Sequence, residues 1–343
     1  MRIAVFLPNW IGDVVMATPA IHSLRRAKPE AHFVCVARPY VADVVKGSPW
    51  FDEIISLERT WSSLFRCARR LRQKHVDLAV LFPNGIRTAA AAWLGRCRRR
   101  IGFARYGRGW LLTNALQPVL DERGRRIPSP VIDDYNRLAI AAGAQPDRRM
   151  RLFTSAEDEL AADGVWAAAG WSRQDRVVCL NPGAAFGSAK YWSVDSFANV
   201  AWRYAAQGHG VLVLCGPAER DMARQIVRQA GVRGVHSLAD APISLGLTKA
   251  CVRRCDLLVT TDSGPRHFAA AFDRPVVSLF GPTHIAWTRT YFAKETTLQK
   301  SVPCGPCQLR TCPLDHKCMT LLTPDEVYSA GVALLAREVR HAG

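Results

Sequence analysis

Three short polar stretches contain the residue types needed for group transfer at an anionic ligand. The first is Pro8-Asn9-Trp10-Ile11-Gly12-Asp13, directly after a β-branched run. Gly12 permits a tight turn there, and Asp13 stands where a helix should begin. A carboxylate at that point can act as a general base. Aspartate is also a good N-cap, and the loop alone leaves both roles open. The second stretch, Asn181 to Trp192, is rich in small residues, Ala185 among them, and includes Lys190. Small residues let backbone N–H groups approach an anion and lysine adds a point charge, a combination suited to phosphate. The Gly-Lys-Ser/Thr order of a Walker loop is missing, and a flexible loop with a solvated lysine fits the same letters. The third runs Thr260-Thr261-Asp262-Ser263-Gly264-Pro265-Arg266-His267. Gly264 and Pro265 mark a helix start, whose first N–H groups and partial positive charge suit a diphosphate. Asp262 and His267 bracket that end, although a lone histidine is more often a structural hydrogen-bonder. No G-x-G-x-x-G fingerprint for a dinucleotide occurs.

The elements that must position these loops alternate strand and helix. Strands are predicted at Ile3–Leu7, Phe33–Ala37, Glu53–Leu57 and Leu78–Phe82, with helices at Val14–Ala27, Trp61–Lys74 and Thr88–Leu94. An exposed loop around residues 121–130 precedes a helix at Asp133–Ala142. The alternation then restarts with strands at Val177–Leu180, Val211–Cys215, Leu257–Thr260 and Val276–Phe280. Helices are predicted at Val194–Ala206, Asp221–Ala230, Leu245–Arg254, Gly264–Phe272 and Pro324–Val339. This is an α/β pattern of mostly parallel, doubly wound sheets. Two such halves, joined near residues 155–175, should leave a cleft between them. The expected division is 1–165, 166–323 and a closing helix at 324–343. All three polar stretches fall at carboxyl ends of strands, where open α/β sheets bind ligands.

The chain has 343 residues, enough for two domains. Its net charge of +17 is uneven. Between Arg59 and Arg126 there are 16 Lys or Arg against Asp77, Asp121 and Glu122, with Arg98-Arg99-Arg100 the densest point. Such a window suggests a surface facing nucleic acid, a membrane leaflet or an acidic substrate; a solvated face is the plainer alternative. It holds no zinc-finger, RNP or helix-turn-helix signature, so nucleic acid is not expected as a partner. No apolar run approaches the ~20 residues of a membrane span. Pro8 and Asp13 interrupt any signal-peptide core, so a cytoplasmic location is expected. Of the 11 cysteines, seven sit in apolar contexts as reduced fillers, and Cys304, Cys307, Cys312 and Cys318 crowd together around His316. Paired thiolates with a histidine are a ligand set zinc prefers; reduced thiols or a local disulfide are the alternatives.

The segments NWIGDVVMATPAI, NPGAAFGSAKYW and TDSGPRHFAAAF resemble, in order and spacing, the bacterial ADP-heptose–lipopolysaccharide heptosyltransferases. The likeness runs over most of the chain, and the first two segments look most like the branch that adds the second inner-core heptose. It implies a GT-B fold of two Rossmann-like doubly wound domains facing a cleft. The N-terminal domain would bind the acceptor and the C-terminal one ADP-heptose. Transfer would be inverting, with no cofactor and no catalytic metal, in keeping with the lack of a placed Asp-x-Asp motif. By the same likeness Asp13 is the base beside Gly12, and Lys190 contacts donor phosphate near Ala185. Thr261, Asp262, Ser263, Gly264 and His267 form the donor motif, and Glu219 is the acidic ribose contact. Arg266 is a charge that many relatives lack. The acceptor would be heptosyl-Kdo-lipid A, an anionic lipid, with the enzyme peripheral to the inner face of the cytoplasmic membrane. First-heptose transfer, or a related transferase using another heptose or acceptor, is the nearest alternative. A nucleotide-sugar epimerase and a nucleic-acid binder are the others.

Overall fold

Residues 1–342 are described by a computed structural model, in which the chain forms two parallel six-stranded sheets. One unit comprises Met1–Phe153 with Ala286–Tyr291, and the other Thr154–Ile285 with the chain from Phe292 onward. In the first unit the strands are β1 (Arg2–Phe6), β2 (His32–Ala37), β3 (Glu53–Ser56), β4 (Leu78–Leu81), β5 (Arg99–Phe103) and β6 (Asn114–Leu116). Its helices are α1 (Ile11–Ala27), α2 (Pro39–Val45), α3 (Trp61–Gln73), α4 (Ile86–Leu94) and α5 (Val131–Ala141). The sheet order is β3-β2-β1-β4-β5-β6. Helices cover both faces of a parallel sheet, so its central strands are apolar throughout rather than alternating. Leu78–Leu81 is accordingly buried at every position. Val34, Val36, Leu64, Leu71 and Leu81 share one core with Phe6.

The second unit repeats the plan. Its strands are β7 (Val177–Asn181), β8 (Gly210–Val213), β9 (Val235–Ser237), β10 (Leu257–Thr261), β11 (Val276–Phe280) and β12 (Glu295–Gln299). Its helices are α6 (Ala156–Ala168), α7 (Val194–Ala206), α8 (Arg220–Ala230), α9 (Leu245–Arg254), α10 (Gly264–Ala271), α11 (Lys317–Thr320) and α12 (Pro324–Ala342). The order β12-β11-β10-β7-β8-β9 reverses between β7 and β10, as the first sheet's does between β1 and β4. Those reversals are the topological switch points at which such sheets bind ligands.

Three expectations about organisation change. The division falls at Phe153 and Thr154 rather than at 165, because residues 156–168 form a helix of the second unit. Ser155 and Asp158 close a capping box at its start. Glu159 then pairs with Arg253 and Arg254 of α9, each at 2.8 Å. The final helix is no separate segment: α12 packs on α7, β10 and β11 of the same unit. Finally, the densest arginine run leads into a strand. Arg99 and Arg100 open β5, and Arg100 turns back to donate to the Leu111 and Cys97 carbonyls at 2.7 and 2.6 Å.

Candidate active site

In the second unit the two neighbouring strands of the switch point deliver most of the expected residues to one place. Asn181 ends β7, and its Nδ2 donates to the Oγ atoms of Thr260 and Ser263 at 3.0 and 2.9 Å. Thr261 ends β10 and donates its hydroxyl to the Gly183 carbonyl at 2.8 Å. The second and third loops are thereby fastened to each other. Lys190 reaches across, donating to the Asp262 carboxylate at 2.5 Å and to its backbone carbonyl at 2.7 Å. Thr283 donates to the same carboxylate oxygen at 2.7 Å, and Arg266 approaches the other at 3.7 Å. Burial pushes the Asp262 carboxyl upward, but Lys190 and then Arg266 outweigh it and hold the group below the usual carboxylate range. Lys190 is thus no solvated lysine. It is a buried cation whose three donors are two-thirds used.

Arg266 has a defined place. Its side chain is 1% exposed, lies over the Phe280 ring, and forms a fork with Glu295 at 2.5 and 3.1 Å; Ser278 donates to the same carboxylate. Ser263 is the N-cap of α10, yet its side chain makes no capping bond. The Ser263 side chain therefore leaves the first turn of α10 without a side-chain cap. His267 follows, fully enclosed. Burial, with Arg266 beside it, pulls its pKa down to about 3, so the imidazole is neutral at physiological pH. Its Nδ1 is buried without a hydrogen-bond partner.

Glu219 lies in the turn after β8, the next strand in the sheet. Its carboxylate accepts the Gly216 N–H at 2.8 Å and fills the space beside Gly183, where a Cβ would lie 2.1 Å from Oε1. Ala185 is exposed at the tip of the second loop. Beyond it, Gly187 has φ +153°, and a Cβ there would sit 2.3 Å from the Arg310 carbonyl oxygen. That contact belongs to the cysteine-rich segment, which packs on the second loop. Ala189 donates its N–H to Arg310 O at 3.0 Å, and His316 Nε2 lies 2.7 Å from the Ala189 carbonyl oxygen. The Arg310 guanidinium and the Lys190 ammonium lie 5.5 and 4.9 Å from the Phe186 ring centre. The spacing suggested a metal site here, but His316 is committed to the loop. Among the described residues no three His, Cys, Asp or Glu side chains gather as metal ligands. Cys304, Cys307, Cys312 and Cys318 are free thiols, and burial followed by the other three thiols pushes Cys318 upward.

In the first unit Asp13 occupies the third position of α1. The N-cap is Trp10, so Asp13 is not the cap, and Gly12 lies within the helix rather than in a turn. A first-turn carboxylate still gains from the helix dipole. Asp13 lines a cavity of about 120 Å³ at this unit's switch point, with Asn84, Arg105, Arg126, Asp134 and Tyr135 among its walls. Arg126 is paired with Asp134 and lies 4.3 Å from the Trp287 ring centre. Burial, then Asp13 and Asp134, keep the Tyr135 phenol protonated well above its ordinary range. Arg108 is wholly buried beneath the cavity. It donates to the Phe103, Pro83 and Gly85 carbonyls and to Thr88 and Asn84 side chains, which fixes the loop carrying Asn84. Burial brings its pKa to about 10, so it keeps its charge. Asn84, Asp134 and Tyr135 were hidden in the sequence because no local spacing links them to Asp13. Arg105 and Arg126 were visible only as members of the basic window.

Two Rossmann-like units, each gathering polar side chains at its switch point, have the architecture of a GT-B glycosyltransferase. A solved family 9 glycosyltransferase from Veillonella parvula superposes with a TM-score of 0.84 at 23% identity, covering 98% of this chain and 97% of the other. The structure of Escherichia coli ADP-heptose lps heptosyltransferase II gives 0.79 at 24%, covering 98% and 99%. The chain belongs to glycosyltransferase family 9 (heptosyltransferase), whose profile matches residues 64–318. In sequence it is 27% identical to the lipooligosaccharide heptosyltransferase 2 of Campylobacter jejuni over 98% of both chains.

Proposed function

We propose that this enzyme transfers heptose, with inversion and without a catalytic metal, from ADP-heptose to heptosyl-Kdo-lipid A, setting the second heptose of the lipopolysaccharide inner core. The observation that carries the reading is Asp13 in a cavity whose cations are Arg105 and Arg126. A carboxylate there takes the proton of the acceptor hydroxyl as its oxygen attacks the anomeric carbon. The arginines suit the carboxylates and phosphates of an anionic acceptor. The second unit holds the donor: Glu219 faces the ribose, while Lys190 and the uncapped start of α10 face the diphosphate. These groups meet the negative charge that grows on departing ADP. His267, being neutral, offers a hydrogen bond rather than a charge. Among the described residues no helix is long and apolar enough to cross a membrane. On this reading the enzyme meets its lipid acceptor as a peripheral protein at the inner leaflet. Mass spectrometry of purified protein with ADP-heptose and heptosyl-Kdo-lipid A tests the reading. A product heavier by one heptose is expected; no mass change, with transfer to Kdo-lipid A instead, would assign it to first-heptose addition.

A further inference from the structure

One surface of the first unit combines large apolar side chains with arginines and almost no acid. On α3, Trp61 and Phe65 are 70% and 59% exposed, four residues apart at the edge of the exposed arc, bordering the buried stripe of Leu64, Cys67 and Leu71. Arg66, Arg69 and Arg72 project from the same outward arc. On α4, Ile86, Trp93 and Leu94 are exposed, again on the side away from the core. Trp110, 71% exposed, stacks edge-on to Trp93 with ring centres 6.1 Å apart. Arg87 joins the two helices, lying over the Trp61 ring and donating to the Glu58 and Thr60 carbonyls. Arg87 thus ties Trp61 to α4, and Trp93 on α4 touches Trp110. Soluble surfaces rarely gather this much exposed apolar area without a partner for it.

From Glu58 to Tyr106 the acidic residues are Glu58, exposed just before α3, and Asp77, which Arg98 and the Arg2 N–H already approach at 3.7 and 2.9 Å. A protein partner would have to be strongly acidic and apolar at once. An anionic bilayer surface has both properties, with phosphates for the arginines and an acyl boundary for tryptophan and phenylalanine. We infer that the outward face of α3, α4 and the Trp110 turn is the membrane-docking surface of this enzyme, inserting Trp61, Phe65, Trp93 and Trp110 among anionic headgroups. The inference rests on the reading of a lipid-borne acceptor, and Tyr106 relates the two: it is 73% exposed and directly follows Arg105, which lines the Asp13 cavity. Docking would present the lipid-linked sugar at that cavity.

The test is co-sedimentation of the full chain with vesicles of neutral phosphatidylcholine alone or with added phosphatidylglycerol. The parent should bind the anionic vesicles, with a blue-shifted tryptophan emission, and bind neutral ones far less. Trp61→Ser/Phe65→Ser should weaken binding by about tenfold or more at every salt concentration. Arg66→Gln/Arg69→Gln should weaken it by about tenfold at low salt, with the difference fading at high salt. All four positions are exposed, so unchanged circular dichroism verifies folding. Heptosyl transfer to a deacylated, water-soluble acceptor should keep its parental rate in both variants, while transfer to vesicle-borne acceptor falls. That soluble assay isolates the catalytic reading: if even the parent is inactive in it, the transferase reading fails while the vesicle result still decides the face. Variants that bind vesicles like the parent overturn the inference. So does a parental dimer that Trp61→Ser/Phe65→Ser dissolves, which would make the face an interface between two copies.

Discussion

Replacing Lys190 by methionine should destabilise the protein as well as weaken donor binding. Lys190 and Asp262 have side-chain exposures of 10% and 4%. Removing one partner of a buried pair costs about 3–5 kcal/mol when the other charge is left uncompensated. Here Thr283 still donates to the carboxylate and Arg266 still stands 3.7 Å away, so roughly 2–3 kcal/mol is expected. For a unit of this size that lowers Tm by about 4–10 °C. The pH dependence carries the signature. In the parent, the depressed Asp262 pKa contributes stability that is present above the unfolded carboxyl value near ~3.9 and lost as pH falls through the folded one. Without Lys190 the first cation opposing burial is gone, and the Asp262 pKa rises. The variant's deficit should be full near neutral pH and narrow toward pH ~4, as the carboxyl takes up a proton. Denaturant midpoints from pH 4 to 8 measure this, and Lys190→Met/Asp262→Asn should recover about 1–3 kcal/mol of coupling. A deficit below about 0.5 kcal/mol that does not vary with pH would refute the reasoning and return Lys190 to solvent.

Three further outcomes follow from the same contacts. Gly183→Ala places a methyl where the Glu219 carboxylate lies; since that carboxylate ends a flexible side chain, ADP affinity by calorimetry should fall several-fold with Tm nearly unchanged. Arg126→Gln removes one cavity cation and should raise acceptor KM roughly tenfold while leaving donor KM as it is, in steady-state kinetics varied in each substrate. Arg108→Lys cannot reproduce a fork shared among several carbonyls. It should lower stability by roughly 2–3 kcal/mol in denaturant titration, and a loss under ~0.5 kcal/mol would contradict the buried network.

The sequence carried the fold where strands were apolar on both faces. Ile3, Val34, Leu78, Val177, Leu258 and Val277 all lie on strands within a residue or two of the expected ends. Strands with polar or charged letters escaped notice. Glu295–Gln299 is an edge strand whose Glu295 serves Arg266, and Arg100 at the start of β5 turns back on the backbone. Ala156–Ala168 passed for a linker because alanine, glycine and aspartate blur its apolar stripe, although Ser155 and Asp158 spell a capping box. The site loops were legible because glycine, proline and aspartate at strand ends have few other uses. Their partners were not: Thr283, Glu295 and Arg310 reach the second and third loops through tertiary packing, with no local spacing to announce them. The basic window proved mixed in character. Arg100 and Arg108 ligate backbone, Arg70 and Lys74 pair with Glu53, Arg105 and Arg126 line the Asp13 cavity, and the outward arc of α3 faces solvent.

If Asp13 is the base, Asp13→Asn should abolish turnover while sparing the fold. Asparagine keeps the size and, with Trp10 as the N-cap, removes no cap; the loss is a favourable first-turn charge worth at most about 1 kcal/mol. General-base catalysis contributes about 10²–10⁴-fold. The measurement is kcat for heptosyl transfer under saturating ADP-heptose and acceptor, with ADP affinity and Tm recorded on the same preparation. The kcat should fall at least about 100-fold while ADP affinity stays at the parental value and Tm moves little. A variant that keeps more than about a tenth of parental kcat contradicts the account, and the proton must then leave through another group of the cavity.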